Sequence, residues 1–221
     1  MRDDGSMGKS LLVIVTFVLV AVGVWYAVTH LPRVGREPTA APVETPVSLP
    51  PLGAACGERC GVQRWAVKTF SDATRGDVDL HPVPATVESL AALPREPGGA
   101  GWRGGDPERR VFVVEGFLAA WDLEADRDYH VIVAGMRDQR TSLIAEIPDP
   151  ACGGACQSGF AQQYAASRTA LQLCVQAPNP EDRPIRVRVT GVGFFDRNHG
   201  QAGNAPNYIE LHPVLRFECL R

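Results

Sequence analysis

Two cysteine pairs share one spacing, Cys56-Gly-Glu-Arg-Cys60 and Cys152-Gly-Gly-Ala-Cys156. Three chemistries use such pairs. Four thiolates can hold zinc. A low-pKa thiol beside a second cysteine can do redox work. Cysteines in an oxidising compartment close disulfides. Cys174 and Cys219 bring the set to six. An even number in a compact body predicts disulfides, with no metal and no cofactor. Six cysteines allow 15 connectivities, and spacing does not choose among them.

Acidic residues alternate at Asp122, Glu124, Asp126 and Asp128. Oxygen ligands at every second position are the start of a calcium loop. Here, however, Arg127 stands where that loop needs glycine, and Val133 where it needs a bidentate glutamate. A solvated turn that takes part in ligand binding is the expectation. A second polar loop carries Asp196, Asn198, His199, Gln201, Asn204 and Asn207. Its small polar groups suit a sugar or a peptide. His199 beside Asp196 could act as a general base with an orienting carboxylate, which makes these two the catalytic candidates. No serine or cysteine nucleophile is tied to them by a motif. His212 and His81 each precede proline and read as ordinary strand histidines. Arg186 and Arg188 point one way from one strand, with Glu210 and Glu218 as expected partners.

These residues need elements to hold them. The run 110–121 is β-branched and aromatic and reads as a long strand. Strands are also predicted over 62–70, 129–134, 141–147, 184–196 and 208–218. In 184–196 Ile185, Val187 and Val189 alternate with Arg186, Arg188 and Thr190, so one face is buried and the other solvated. Ile209 and Leu211 alternate with Glu210 and His212 in the same way. The segment 158–175 lacks proline and spaces its apolar residues as a helix does. Residues 71–109 are rich in proline and glycine and read as irregular. Three strands, a helix and two strands make the order of an OB-fold. The expected class is mainly β with one principal helix. Its form is an OB-fold-like five-stranded barrel with an extra N-terminal strand, preceded by one transmembrane helix. A two-sheet sandwich is the alternative.

Residues 11–29 carry no charge. A helix of roughly 20 apolar residues spans a bilayer core. The run is long for the apolar core of a signal peptide, which is the competing reading. The expected organisation is a cytoplasmic N-terminus (1–10), a signal anchor (11–29), a proline-rich linker (30–55) and a body outside the cytoplasm (56–221). Arg2 and Lys9 before the span balance Arg33 and Arg36 after it, so cysteine usage sets the orientation. This places the chain in the inner or plasma membrane of a bacterium, with the body in the periplasm or extracellular space. A net charge of −3 argues against nucleic acid as a partner.

Val189-Thr-Gly-Val-Gly-Phe-Phe-Asp196, His199-Gly-Gln201, Ala205-Pro-Asn207 and Ile209-Glu-Leu-His-Pro-Val214 resemble a group of uncharacterised exported bacterial proteins. Trp65-Ala-Val-Lys-Thr69 and Ile144-Ala-Glu-Ile-Pro-Asp-Pro150 carry the same resemblance. It covers most of the body but not the anchor, and implies one continuous domain. It implies no activity, and the paired cysteines depart from its pattern. The functional expectation is a membrane-tethered binding or scaffold module for a protein or a cell-wall glycan. Two alternatives stay open. One is an exported metal-dependent or nuclease-like hydrolase using Asp196 and His199, and the other is a thiol-redox protein.

Overall fold

The computed structural model describes residues 56–179, 183–198 and 200–220, and its organising element is one long strand. The early elements are a helical turn α1 (Trp65–Lys68), strand β1 (Asp79–Ala85) and helix α2 (Val87–Ala91). The long strand β2 (Arg110–Leu123) follows, then β3 (Tyr129–Ala134), β4 (Ser142–Ile147), helix α3 (Ala161–Gln176), β5 (Arg186–Phe195) and β6 (Ile209–Cys219).

β2 is long enough to take different partners along its length. Its first half pairs with β5 through Val111–Phe117. Its second half pairs with β3 through Phe117–Leu123. Gly116 stands at this changeover. A Cβ there would lie 2.5 Å from the Ala134 carbonyl oxygen, so the close crossing needs glycine. The sheet runs β2-β3-β4-β6-β5 and returns to β2, a closed five-stranded barrel. Closure leaves its members no free edge. β4 and β6 are parallel and the other barrel pairs are antiparallel. β1 adds parallel to β2 on the edge that β3 vacates.

Inward positions alternate along each strand and form the core. Val131, Val133, Leu143, Ala145, Val189 and Leu211 are all fully or almost fully buried. Leu171 and Cys174 of α3 close one end. The Cys174–Cys219 disulfide fixes this helix to the last residue of β6.

Two expectations are corrected. Residues 62–70 are not a strand. Arg64 and Phe70 adopt left-handed backbone conformations (φ 49° and 56°) on either side of α1, which ends any extended run. The extra strand is instead β1, inside the stretch read as irregular. Pro82 and Pro84 hid it, because a strand at a sheet edge tolerates a missing N–H. The expected anchor and linker, residues 1–55, lie outside the described residues. Among the described residues no helix is long and apolar enough to cross a membrane.

Candidate functional site

The outward positions of β3, β4 and β6 carry charge where a barrel surface would meet water. His130 is paired in register with Glu146, and Glu210 with Ile144. His212 follows two residues after Glu210, on the same face. All four are buried. Two coverings do this. α1 lays Lys68 on the face, with its Nζ 3.5 Å from Glu146 Oε2 and 3.6 Å from Asp196 Oδ2. The β5–β6 loop lies over β3 and β4. Gly203 packs on Ile132, and its carbonyl accepts from Ser142 Oγ at 3.0 Å.

The charged groups form a continuous row. Glu124 Oε1 is 3.3 Å from His130 Nδ1, and that nitrogen is 3.2 Å from Glu146 Oε1. The other carboxylate oxygen of Glu146 is 2.8 Å from His212 Nδ1. His212 Nε2 is 3.3 Å from Asp128 Oδ2. Glu210 Oε2 is 4.0 Å from His212 Nδ1. Burial disfavours every charge in this row, and proximity decides which ones survive. Burial alone would lower His130, but Glu124 and Glu146 push it up to about 10. Burial would also lower His212, but Glu146 and Asp128 push it up to about 9. Burial would raise Glu146, yet His212 and Lys68 hold it well below the usual carboxylate range. Glu210 goes the other way. Burial raises it, and repulsion from Glu146 and Asp196 adds to the rise. Two neighbouring carboxyls are thus split into one anion and one acid. With raised pKa values both imidazoles hold their protons at neutral pH, so neither offers a lone pair as a general base.

The six cysteines close three disulfides, Cys56–Cys156, Cys60–Cys152 and Cys174–Cys219. Pairing runs between the two spaced motifs and not within either. Gly57 N–H donates to the Ala151 carbonyl at 3.1 Å, and Gly153 N–H to that of Glu58 at 2.8 Å. Trp65 Nε1 donates to the Gly153 carbonyl at 2.6 Å. The N-terminal segment is thereby strapped across the outer face, which carries Lys68 to the acidic row.

The predicted site residues fall into three groups. Glu124, Asp126, Asp128 and Asp196 join or border the buried row. Gln201 links the two expected loops, donating from Nε2 to Glu124 Oε1 at 3.0 Å. The rest support local structure. Asp122 is exposed and accepts from Leu123 N–H. Asn198 accepts from Gly200 N–H, and Asn204 donates to the Gln201 carbonyl. Asn207 Nδ2 donates to the carbonyls of Leu90 and Leu93, at 2.8 and 3.0 Å, and so ties off the end of α2. His199 lies outside the described residues. Each hydrogen bond of this kind contributes about 0.5–1.5 kcal/mol. Asn207→Ala is therefore expected to lose roughly 1–3 kcal/mol, read as a lower urea midpoint with an unchanged slope.

Sequence reasoning missed Lys68, His130, Glu146, Glu210 and His212. Glu210 is not an arginine partner. Arg186 and Arg188 instead share Glu115 of β2, at 3.0 and 2.6 Å, with Glu218 3.9 Å from Arg188. The available signal was a titratable residue at an outward position near the end of each of three strands that meet.

Beside α1 lies an open groove of about 510 Å³, lined by Gln63, Arg64, Arg95, Gly98 and Arg197 among others. Arg64 is neutralised by Glu108 at 2.7 Å. Arg95 donates to the Asp196 carbonyl at 2.8 Å and has no carboxylate partner among the described residues. The exposed Arg197 side chain likewise meets no carboxylate there. No family model matches the chain, and no curated protein is significantly similar to it.

Proposed function

We propose that the body is the binding or scaffold domain of a membrane-tethered extracytoplasmic protein, and that its barrel is an OB-fold carrying β1 as an addition. The strand order, with the helix between its third and fourth barrel strands, supports the fold reading. Three disulfides support an oxidising compartment. The resemblance to exported bacterial proteins belongs to the same proposal.

The observation that carries the binding reading is the groove at the start of the β5–β6 loop. Arg95 and Arg197 leave it with positive charge that no described carboxylate balances. The ligand is a protein or a cell-wall glycan that presents a carboxylate there. Asp196, by contrast, is turned inward and held by Gln63, Lys68 and the Arg197 N–H. That placement does not favour it as an exposed catalytic group. Pairing between the motifs, with no free thiol among the described residues, does not favour a resting dithiol.

The test uses the full chain in detergent with purified peptidoglycan, and in parallel a crosslinked capture from the native membrane. Retention on either, weakened about tenfold by Arg197→Glu, is the expected result, because one lost charge-assisted contact is worth about 1.4 kcal/mol or more. Turnover of the polymer, or retention indifferent to Arg197, would overturn the reading.

A further inference from the structure

The buried row holds more negative charge than its own bases balance. Even with Glu210 held as the neutral acid, Glu124, Asp126, Asp128, Glu146 and Asp196 face only Lys68, His130 and His212. Placing unbalanced carboxylates out of water is costly. Three of these groups also have a second property. Asp128, Glu146 and His212 each offer one ligand atom, all within 4.8 Å of one another. Asp128 Oδ2, Glu146 Oε2 and both ring nitrogens of His212 are buried and, although ion-paired at 3.3 and 2.8 Å, make no well-aligned hydrogen bond. Both oxygens of Glu210, aimed at the same place from 4.0 Å, are equally unbonded. Buried polar atoms are nearly always hydrogen-bonded. Here six such atoms gather at one point.

We propose that Asp128, Glu146 and His212 form a binding site for one divalent transition-metal ion, which on binding displaces the ring proton of His212 to solvent. Metal–ligand distances of about 2.0–2.2 Å require only a small closure of the present spacing. One imidazole with two carboxylates suits zinc, manganese or iron(II) better than calcium, which prefers six to eight oxygens. The second triad, Glu124, His130 and Glu146, shares Glu146 and stands behind the first. The site is closed by α1 and the β5–β6 loop, so the ion is structural and ties the turn before β3 to β4 and β6. This inference does not rest on the groove or its ligand.

The test titrates zinc alone into the EDTA-treated full chain in detergent. Calorimetry is expected to show one equivalent bound and a higher unfolding temperature, with magnesium and calcium producing neither. Cobalt(II) in place of zinc is expected to show absorption bands of a site with nitrogen ligation. Asp128→Asn and His212→Gln are each expected to weaken zinc at least about tenfold, while His81→Ala leaves binding unchanged. If either buried variant fails to fold, the cobalt spectrum of the unaltered chain still decides. Absence of heat and of a thermal shift with zinc and manganese, a cobalt spectrum of oxygen ligation alone, or zinc binding that survives both folded variants would overturn the proposal.

Discussion

Glu108→Ala is expected to cost about 3–5 kcal/mol, enough to consume much of the stability of a domain this size. Its carboxylate is fully buried and collects donors from three separate parts of the chain. Arg64 binds it with two nitrogens, each at 2.7 Å. The N–H groups of Gly98 and Gly104 donate at 3.0 and 2.6 Å, and that of Phe195 at 2.8 Å. One side chain thus joins α1, the glycine-rich loop and the exit of β5. Removing it leaves a buried guanidinium and three amides without their acceptor. Burial alone would raise the pKa of Glu108, but Arg64 and the amides of Gly104 and Phe195 reverse this and hold it below the ordinary 4.5. A carboxyl with a lower pKa in the folded chain contributes fully above its unfolded value. That contribution disappears as pH falls through the folded value. The native protein is therefore expected to lose part of its stability on acidification from about pH 5 downward, about half a unit above the unfolded value. Glu108→Gln should lose that part of the dependence. Urea midpoints at several pH values would measure both. A Glu108→Ala midpoint close to that of the native chain would contradict this account.

The barrel was legible because β2 to β6 bury their inward residues by simple alternation, and such a period survives in the sequence. Val187 and Val189, or Tyr129, Val131 and Val133, have the same environment whatever lies outside the barrel. α3 was legible for a similar reason, since its buried residues recur at helical spacing. The acidic turn and the β5–β6 loop were each read as polar loops, and their meeting through the Gln201–Glu124 bond was not foreseen.

The outer face was not legible. His130, Glu146, Glu210 and His212 occupy positions that alternation assigns to solvent. Their burial is a tertiary event, set by a segment joined to the barrel across 100 and 92 residues of sequence. Nothing local to β6 records that α1 will cover it. The same cause explains the misread residues 62–70. Trp65 and Val67 are apolar because they pack under the strap, and not because they alternate in a sheet. β1 was lost to its two prolines, whose penalty applies to interior strands and not to this edge.

Opening that strap should therefore do more than remove two covalent links. Replacing Cys56, Cys60, Cys152 and Cys156 by serine is expected to cost about 4–6 kcal/mol. The first bridge closes a loop of about 100 residues, for which chain entropy alone is worth about 4–5 kcal/mol. The second then closes only a short loop and adds less. The chemical consequence is larger than the entropy. When α1 lifts, Lys68 leaves Glu146 and Asp196, and the row loses its one ammonium. Repulsion among the remaining carboxylates is then unopposed by the ammonium, and water enters the face. Hydrogen exchange would read this directly. Amides of residues 65–71 should lose protection first, followed by the outer faces of β4 and β6, while the Cys174–Cys219 bridge keeps α3 in place. A serine variant with native protection at α1 and an unchanged urea midpoint would show that hydrogen bonds such as Trp65 to Gly153 hold the strap without the sulfurs. The predicted order of opening ties the cysteines to the charge row. They hold one lysine over a set of acids that the barrel could not otherwise keep dry.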